Sequence, residues 1–279
     1  MTEDKTSRAC WKVTLLWLGL WSLLANVPPA TASNCRQPEG TCIFGVFPHS
    51  STRQIATTYQ TIAEELSLVL DRDVRLQTAR SIPEFLKRLR QHRYDIALAG
   101  IGHYLMVAEP AGYIPLAHRE NPLHYVLVTP QESPLRDIDD LRGRRLGLMP
   151  PQNGTSIAGQ LILRDHGLDP QKDLTVVRLG SQQGCIHAML TAQVDACAIA
   201  EPVVETFEAM MNRHFRILAR SEDLPNVSYL ASPLLAPDQI EALRDYFSDR
   251  EHFVAARPSH YSHFRKRIEA LGRPPEARR

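Results

Sequence analysis

The amino-acid sequence predicts an α/β protein with two lobes. Apolar runs rich in β-branched residues alternate with segments whose apolar residues recur every three or four positions. The motif YDIALA at 94–99 has a counterpart in VDACAI at 194–199, and each places an aspartate before an apolar strand. We expect Asp95 and Asp195 to bond the backbone of the turn between helix and strand, one in each lobe.

The predicted elements follow this alternation in order. In the first lobe they are a strand at 41–47, a helix at 55–69, a strand at 74–77, a helix at 82–89 and a strand at 95–99. In the second lobe they are strands at 124–129 and 145–149, a helix after Ser156, a strand at 175–179, a helix at 186–190 and a strand at 196–200. Parallel strands joined by helices predict ligand-binding turns at the carboxyl ends of the strands.

Composition and charge exclude several classes of protein. The 279 residues are 43% hydrophobic and 23% charged, which suits a folded core and argues against disorder. Thirty-two basic and 31 acidic residues give a formal net charge of +1, so there is no bulk positive field for a polyanion. Nucleic acid is therefore not an expected partner.

The N-terminal residues have the pattern of an export signal. Basic residues precede an apolar run at 13–25, and Ala30-Thr31-Ala32 supplies a small-residue cleavage site. The run is shorter than the ~20 apolar residues that span a bilayer. We expect residues 1–32 to be a cleaved signal peptide and the rest to be periplasmic. Lipid anchoring at Cys35 is the less favoured alternative, because no large aliphatic residue precedes it.

Four cysteines follow the predicted signal: Cys35, Cys42, Cys185 and Cys197. An exported protein can keep disulfides, and the pairs nearest in sequence are Cys35 with Cys42 and Cys185 with Cys197. Four cysteines allow three connectivities, and Cys197 fits a buried strand thiol equally well. The spacing does not indicate a zinc site.

Polar side chains gather in the turns that follow the predicted strands. Backbone N–H groups at helix N-termini are unpaired and lie at the positive end of the helix dipole, so such turns suit an oxyanion. An ordinary helix cap is the competing interpretation for each turn taken alone. The candidate ligand-binding residues are Ser51, Tyr104, Asn153, Gly154, Thr155, Ser156, Ser181, Gln182 and Glu201.

The turn from Asn153 to Ser156 is the strongest of these candidates. Gly154 lets the backbone approach an anion closely, and two hydroxyls follow it. The turn lacks the Gly-Lys-Ser/Thr ending of a nucleotide-binding loop. We found no nucleophile elbow and no metal motif in the sequence, so we expect no enzyme activity and no cofactor.

Several of these segments resemble one known family. They are Gly45–Pro48, Tyr94–Ala97 with Gly100 and Tyr104, Gly143–Gly147 with Asn153–Ser156, and Gly180–Gln182 with Val194–Ala196. They are similar to the periplasmic substrate-binding proteins of phosphate, phosphite and phosphonate ABC transporters, of the phosphonate-binding type. The resemblance runs from about residue 43 to 267. Gln182 stands where that family has a histidine, and Gly102-His103 replaces its loop residues before Tyr104.

The resemblance implies a type II periplasmic binding protein fold, with mostly parallel sheets and a hinge between the lobes. Lobe 1 would comprise residues 33–126 and 226–279, and lobe 2 residues 127–225. The two crossovers would fall near 125–130 and 223–228. The implied function is to clamp a small oxyanion, foremost a phosphonate or related phosphorus compound, as a monomer that delivers it to an ABC transporter permease.

Three alternatives stay open at the level of sequence. The segment DACAIAEP at 195–202 also resembles nitrate, sulfonate and taurine binders. A second alternative is a ligand sensor that presents the same clamp to a membrane signalling receptor. A two-lobe transferase is disfavoured by the export signal and by the lack of a catalytic set.

Overall fold

Two β-sheets form the frame of the protein. The structure, a computed structural model, describes Cys35, Gln37 and residues 40–272. The strands are β1 (Cys42–Val46), β2 (Val74–Thr78), β3 (Ile96–Ala99), β4 (Ile114–Arg119), β5 (Tyr125–Pro130), β6 (Arg145–Leu148), β7 (Thr175–Arg178), β8 (Ala196–Ala200), β9 (Phe215–Arg220), β10 (Ser228–Ala231) and β11 (Phe253–Ala255). The first sheet has the order β11-β4-β10-β3-β1-β2 and the second β7-β6-β8-β5-β9.

Helices follow most of the parallel strands and cover the sheets. They are α1 (Thr52–Leu70), α2 (Ile82–Arg90), α3 (Ile101–His103) with a π-helical turn (Tyr104–Ala108), α4 (Gly154–Asp165), α5 (Gln182–Leu190), α6 (Glu201–Met211), α7 (Pro237–Ser248) and α8 (Ser262–Ala270). In each sheet three parallel strands lie side by side, and antiparallel strands extend the sheet on one side of them. The predicted α/β class with mixed sheets is confirmed. The sheets are less parallel than predicted, because two of five strand pairs in the first sheet and two of four in the second are parallel.

Asp95 and Asp195 have equivalent structural roles in the two sheets. The Asp95 carboxylate accepts the backbone N–H of Ile43 at 2.7 Å, and its own N–H donates to the Ile43 carbonyl at 2.9 Å. Asp195 does the same with Arg145, at 2.8 Å for both bonds. Hydrogen bonds from the Arg145 side chain also lower the pKa of Asp195. These bonds secure the start of a neighbouring strand 52 and 50 residues away, whereas the sequence predicts bonds to the backbone of the adjacent turn.

A glycine in the first parallel strand of each sheet makes room for a bulky neighbour. A Cβ on Gly45 would lie 2.3 Å from the Tyr94 ring. A Cβ on Gly147 would lie 2.3 Å from the Sγ of Cys185 and 3.0 Å from that of Cys197. The structure joins those two cysteines in a disulfide that ties α5 to β8, so β6 passes beside the bridge only because residue 147 has no side chain. A second disulfide joins the other sequence-nearest pair, Cys35 and Cys42.

Two short crossovers connect the sheets. The chain passes from β4 to β5 over residues 120–124 and returns from β9 to β10 over 221–227. The crossovers pair through an antiparallel bridge between Leu123 and Leu224. The first crossover therefore precedes the predicted segment, since residues 125–130 are paired in the second sheet as β5. We call the six-stranded sheet with its helices lobe 1 and the five-stranded sheet with its helices lobe 2; the residue bounds of the lobes given above stay a prediction.

The predicted signal peptide and its cleavage site at Ala32 lie outside the described residues. Within the described part of the chain, we find no helix with the length and hydropathy needed to cross a bilayer.

The Gly147 environment predicts a specific packing conflict. We expect Gly147→Ala to lower the free energy of unfolding by about 1–3 kcal/mol, because the new methyl overlaps the disulfide sulfurs. Denaturant unfolding measures this cost, and Gly180→Ala is the matched control because nothing lies within 4 Å of its added Cβ. Replacing Cys185 and Cys197 by alanine should remove most of the cost. An equal cost with and without the two sulfurs would contradict this origin.

Candidate functional site

The carboxyl ends of the parallel strands in the two lobes meet at two glycines. Gly102 comes just after β3 in lobe 1, and Gly154 begins α4 after β6 in lobe 2. A Cβ on Gly102 would lie 2.9 Å from both the backbone nitrogen and the Cα of Gly154. Since ligands of open α/β sheets bind beyond the carboxyl ends of the strands, this junction locates the candidate site.

The N-terminus of α4 forms the lobe 2 side of the junction. Asn153 is the N-cap, and its side-chain oxygen accepts the backbone N–H of Thr155 at 2.9 Å. Thr155 and Ser156 lie in the first helical turn and are 2% and 0% exposed. Among the described residues, no side chain or backbone group hydrogen-bonds to the Thr155 hydroxyl. The predicted turn is thus both a helix cap and a buried group of donors.

Arg178 adds a positive charge behind this turn. Its guanidinium donates to the Ser156 hydroxyl oxygen at 2.9 Å and to the Met149 carbonyl at 2.8 Å. Arg178 is an exposed residue, and partial desolvation lowers the pKa of its guanidinium. An arginine still stays charged at neutral pH, and no carboxylate of the described residues pairs with this one. The Ser156 oxygen accepts from Arg178, which leaves its own O–H free to donate. Sequence reasoning missed Arg178, although it ends the strand just before the predicted Ser181 turn.

Tyr125 is a second residue that sequence reasoning missed. It begins β5 directly after the first crossover, and a Cβ on Gly154 would lie 2.8 Å from its hydroxyl oxygen. Burial raises the pKa of Tyr125, so the hydroxyl keeps its proton at neutral pH. A protonated phenol beside the first residue of α4 is a further hydrogen-bond donor at the junction.

Ser51, Ser181 and Gln182 take local roles at helix starts. The Ser51 oxygen accepts the N–H of Gln54 at 3.3 Å as the N-cap of α1, and Ser181 accepts the N–H of Gly184 at 3.0 Å as the N-cap of α5. The Gln182 amide oxygen accepts the N–H of Ala200 at 2.7 Å and so ties α5 to the end of β8. Ser51 and Ser181 thus match the capping interpretation, whereas Gln182 bonds a neighbouring strand end, and the N-termini of α1 and α5 still lie at the carboxyl edges.

Tyr104 lies inside lobe 1. It is 1% exposed, its ring packs on Tyr261 with centroids 4.5 Å apart, and its hydroxyl donates to Glu109 at 3.3 Å. Glu109 in turn pairs with Arg265 of α8. These contacts explain the burial of Tyr104 by packing alone and give its hydroxyl a partner within the lobe.

Glu201 follows β8 and belongs to an ion network at the crossovers. One carboxylate oxygen pairs with Arg220, and the other lies 3.5 Å from the Nδ1 of His124. The Nε2 of His124 lies 2.7 Å from Asp223 in the second crossover. The Glu201 side chain is 14% exposed, so its charge is balanced largely by protein partners.

The geometry thus separates the nine predicted residues into two groups. Asn153, Gly154, Thr155 and Ser156 lie together at the lobe junction with Tyr125 and Arg178. The other five lie at neighbouring strand ends, and each of their side chains has a protein partner. The junction offers hydroxyl donors, an unpaired guanidinium and the N-terminus of a twelve-residue helix, which together suit an oxyanion.

The described residues offer little for a metal. Cys35, Cys42 and Asp95 bring three potential ligand atoms within 4.8 Å of one another. The two sulfurs are joined to each other, and the Asp95 carboxylate already accepts the Ile43 N–H.

Comparison with solved structures shows the same fold in several binding proteins. PhnD1 of Prochlorococcus marinus in complex with methylphosphonate matches with a TM-score of 0.73 and 14% identity, over 83% of this chain and 98% of that one. A binding protein component of an ABC phosphonate transporter of Pseudomonas aeruginosa matches with a TM-score of 0.68 and 16% identity, over 84% and 89%. The aliphatic sulphonate binding protein SsuA of Escherichia coli matches with a TM-score of 0.60 and 16% identity, over 84% of this chain and 87% of that one.

A family model gives the more specific result. The model for the periplasmic substrate-binding protein of phosphonate ABC transporters matches residues 44–261. That range holds the lobe junction and both sheets except Cys42 and Ile43 of β1, and it ends just before α8. The chain therefore belongs to the family of periplasmic phosphonate-binding proteins of ABC transporters.

Proposed function

We propose that this protein binds a small phosphorus oxyanion, foremost a phosphonate, between its lobes at the junction of Gly102 and Gly154. The observation that carries the proposal is the Thr155–Ser156 turn backed by the unpaired Arg178 guanidinium. Helix N-terminal N–H groups, two hydroxyls and one cation supply the charge-assisted hydrogen bonds that an oxyanion needs.

The same proposal covers the rest of the protein's role. The protein is a periplasmic monomer freed from its leader after Ala32, it performs no chemistry on its ligand, and it passes the ligand to a transporter permease. The family supports a periplasmic location and a permease partner. The two short crossovers support a hinge, because a site between lobes is completed when the lobes close.

The first prediction separates ligand binding from helix capping at the Thr155–Ser156 turn. Replacing both residues by alanine should weaken binding of methylphosphonate by at least about a hundredfold, because two hydrogen bonds to an anion are lost. Calorimetric titration with methylphosphonate, phosphite, phosphate, methanesulfonate and nitrate measures the effect and ranks the anions.

The matched control is Ser81→Ala. The Ser81 oxygen caps α2 by accepting the N–H of Glu84 at 3.3 Å, so this change should lower stability and leave affinity unchanged. Full affinity in the Thr155/Ser156 double variant would refute the site. Tightest binding of methanesulfonate would refute the phosphorus ligand.

A second prediction concerns closure of the lobes. Gly102→Ala should weaken binding by about tenfold or more and enlarge the ligand-bound radius of gyration in small-angle scattering, because the added methyl meets the Gly154 backbone. Gly100→Ala is the control, since its Cβ would meet only the His103 ring at 3.7 Å or more. Equal affinity and equal radius in the two variants would show that the lobes do not close on each other here.

A third prediction follows from the pairing of Glu201 with Arg220. Because the carboxylate is already neutralised, the wild-type protein should bind ethylphosphonate at least as tightly as 2-aminoethylphosphonate. Arg220→Gln frees the carboxylate and should shift the affinity ratio by about tenfold toward the amine.

The control for this shift is Arg216→Gln on the same strand. Arg216 donates to the carbonyls of Ser133, Leu135 and Gln131 and pairs with no carboxylate among the residues described. The same ratio in the wild type and in Arg220→Gln would place Glu201 outside ligand contact.

A further inference from the structure

Two side chains at the edge of lobe 1, one buried and one half-buried, have enclosed polar atoms without a hydrogen-bond partner. Both ring nitrogens of His103 are enclosed and unpartnered, and the residue is 3% exposed. The hydroxyl of Ser50 is likewise enclosed without a partner. Buried polar groups in folded proteins are nearly always hydrogen-bonded, so each exception calls for a physical reason.

Both residues lie at the same edge of the same sheet. Ser50 follows β1 and His103 follows β3, and these strands are parallel neighbours with Val46 opposite Leu98. Phe47 links the two turns, because its ring lies 5.3 Å from the His103 ring and its chain leads into Ser50. The edge is the one that meets lobe 2, since Gly102 directly precedes His103 and touches Gly154.

The surroundings of His103 are aromatic and uncharged. Its ring packs at a tilt against Phe47 and Phe85, with centroids 5.3 and 6.0 Å away. Burial lowers the pKa of His103 to about 4, so the imidazole is neutral at periplasmic pH and offers one N–H donor and one acceptor. Phenylalanine would fill this position without leaving polar atoms unsatisfied. The histidine therefore lowers the free energy of unfolding relative to phenylalanine, and stability does not explain its presence.

We propose that His103 and Ser50 are the lobe 1 contacts to the bound oxyanion, opposite the Thr155–Ser156 turn of lobe 2. This inference rests on the proposed function and deepens it. The imidazole N–H and the serine O–H donate to ligand oxygens when the lobes close. In the ligand-free protein these polar atoms stay without partners. The free energy of unfolding is therefore lower than it would be with apolar side chains, and ligand binding supplies the missing hydrogen bonds.

The test measures affinity and stability in the same variants, because the proposal predicts opposite signs. His103→Phe should weaken methylphosphonate binding by about tenfold or more, while the melting temperature of the ligand-free protein stays equal or rises. Ser50→Ala should also weaken binding, with little change in melting temperature. Calorimetry and thermal melting on the full mature chain give both numbers.

His92→Phe is the matched control. One ring nitrogen of His92 is also buried and unpartnered, and its ring stacks on Tyr113 with centroids 5.5 Å apart. It precedes β3 rather than following it and so lies at the far edge of the sheet. The proposal requires that His92→Phe leave affinity unchanged.

The outcomes separate this inference from the proposed function. If the wild type binds none of methylphosphonate, phosphite, phosphate, methanesulfonate or nitrate, the oxyanion function itself fails. If the wild type binds one of them and both His103→Phe and Ser50→Ala bind it equally well, the function stands and this inference is overturned. Should His103→Phe fail to fold, the Ser50→Ala titration decides.

Discussion

The approach of Gly102 to Gly154 is the constraint on which the binding site depends. The two backbones can come this close only because Gly102 carries no Cβ, while a Cβ on Gly154 would meet the Tyr125 hydroxyl at 2.8 Å. Their contact brings the carboxyl ends of β3 and β6 together, and with them the turns that follow the neighbouring strands. Helix N-termini and buried polar groups of both lobes then lie at one junction, although no single turn would hold an anion firmly.

Contacts behind the junction hold the lobes together without filling the site. Arg267 of α8 bridges Asp165 of α4 at 2.6 Å and Glu222 of the second crossover at 2.7 Å. Ile101 and Tyr104 of lobe 1 belong to the same apolar cluster as Ile157 of lobe 2. The crossovers themselves share one β-bridge, so the connection between the sheets is both short and paired.

The sequence predicted the parallel strands of the frame and β5, but it did not predict β4, β9, β10 or β11. Apolar runs and helical periodicity located these strands and the helices that join them. The Asn153 cap and the Thr155–Ser156 turn were also visible as a motif. Each of these features depends on residues close in sequence or on strand order alone.

The side-chain environment of the site was less predictable because it depends on residues distant in sequence. Tyr104 packs on Tyr261, and its partner Glu109 pairs with Arg265, so its burial depends on α8. Arg178 reaches Ser156 across the end of β6. No local pattern encodes such contacts. The first crossover was misplaced for a related reason: the run at 125–130 is apolar because β5 is paired on both sides.

The distribution of charge explains how a nearly neutral protein suits an anion. Formal net charge is +1, and the Arg220 and Arg265 guanidiniums at the lobe edges are each paired with a carboxylate. Arg178 differs, because its guanidinium bonds a carbonyl and a hydroxyl and pairs with no carboxylate of the described residues. One unpaired cation and several neutral donors concentrate the attraction at the junction. A strong net positive charge would attract every anion equally. Because the net charge of this protein is close to zero, the choice between anions depends on the geometry of the hydrogen bonds formed when the lobes close.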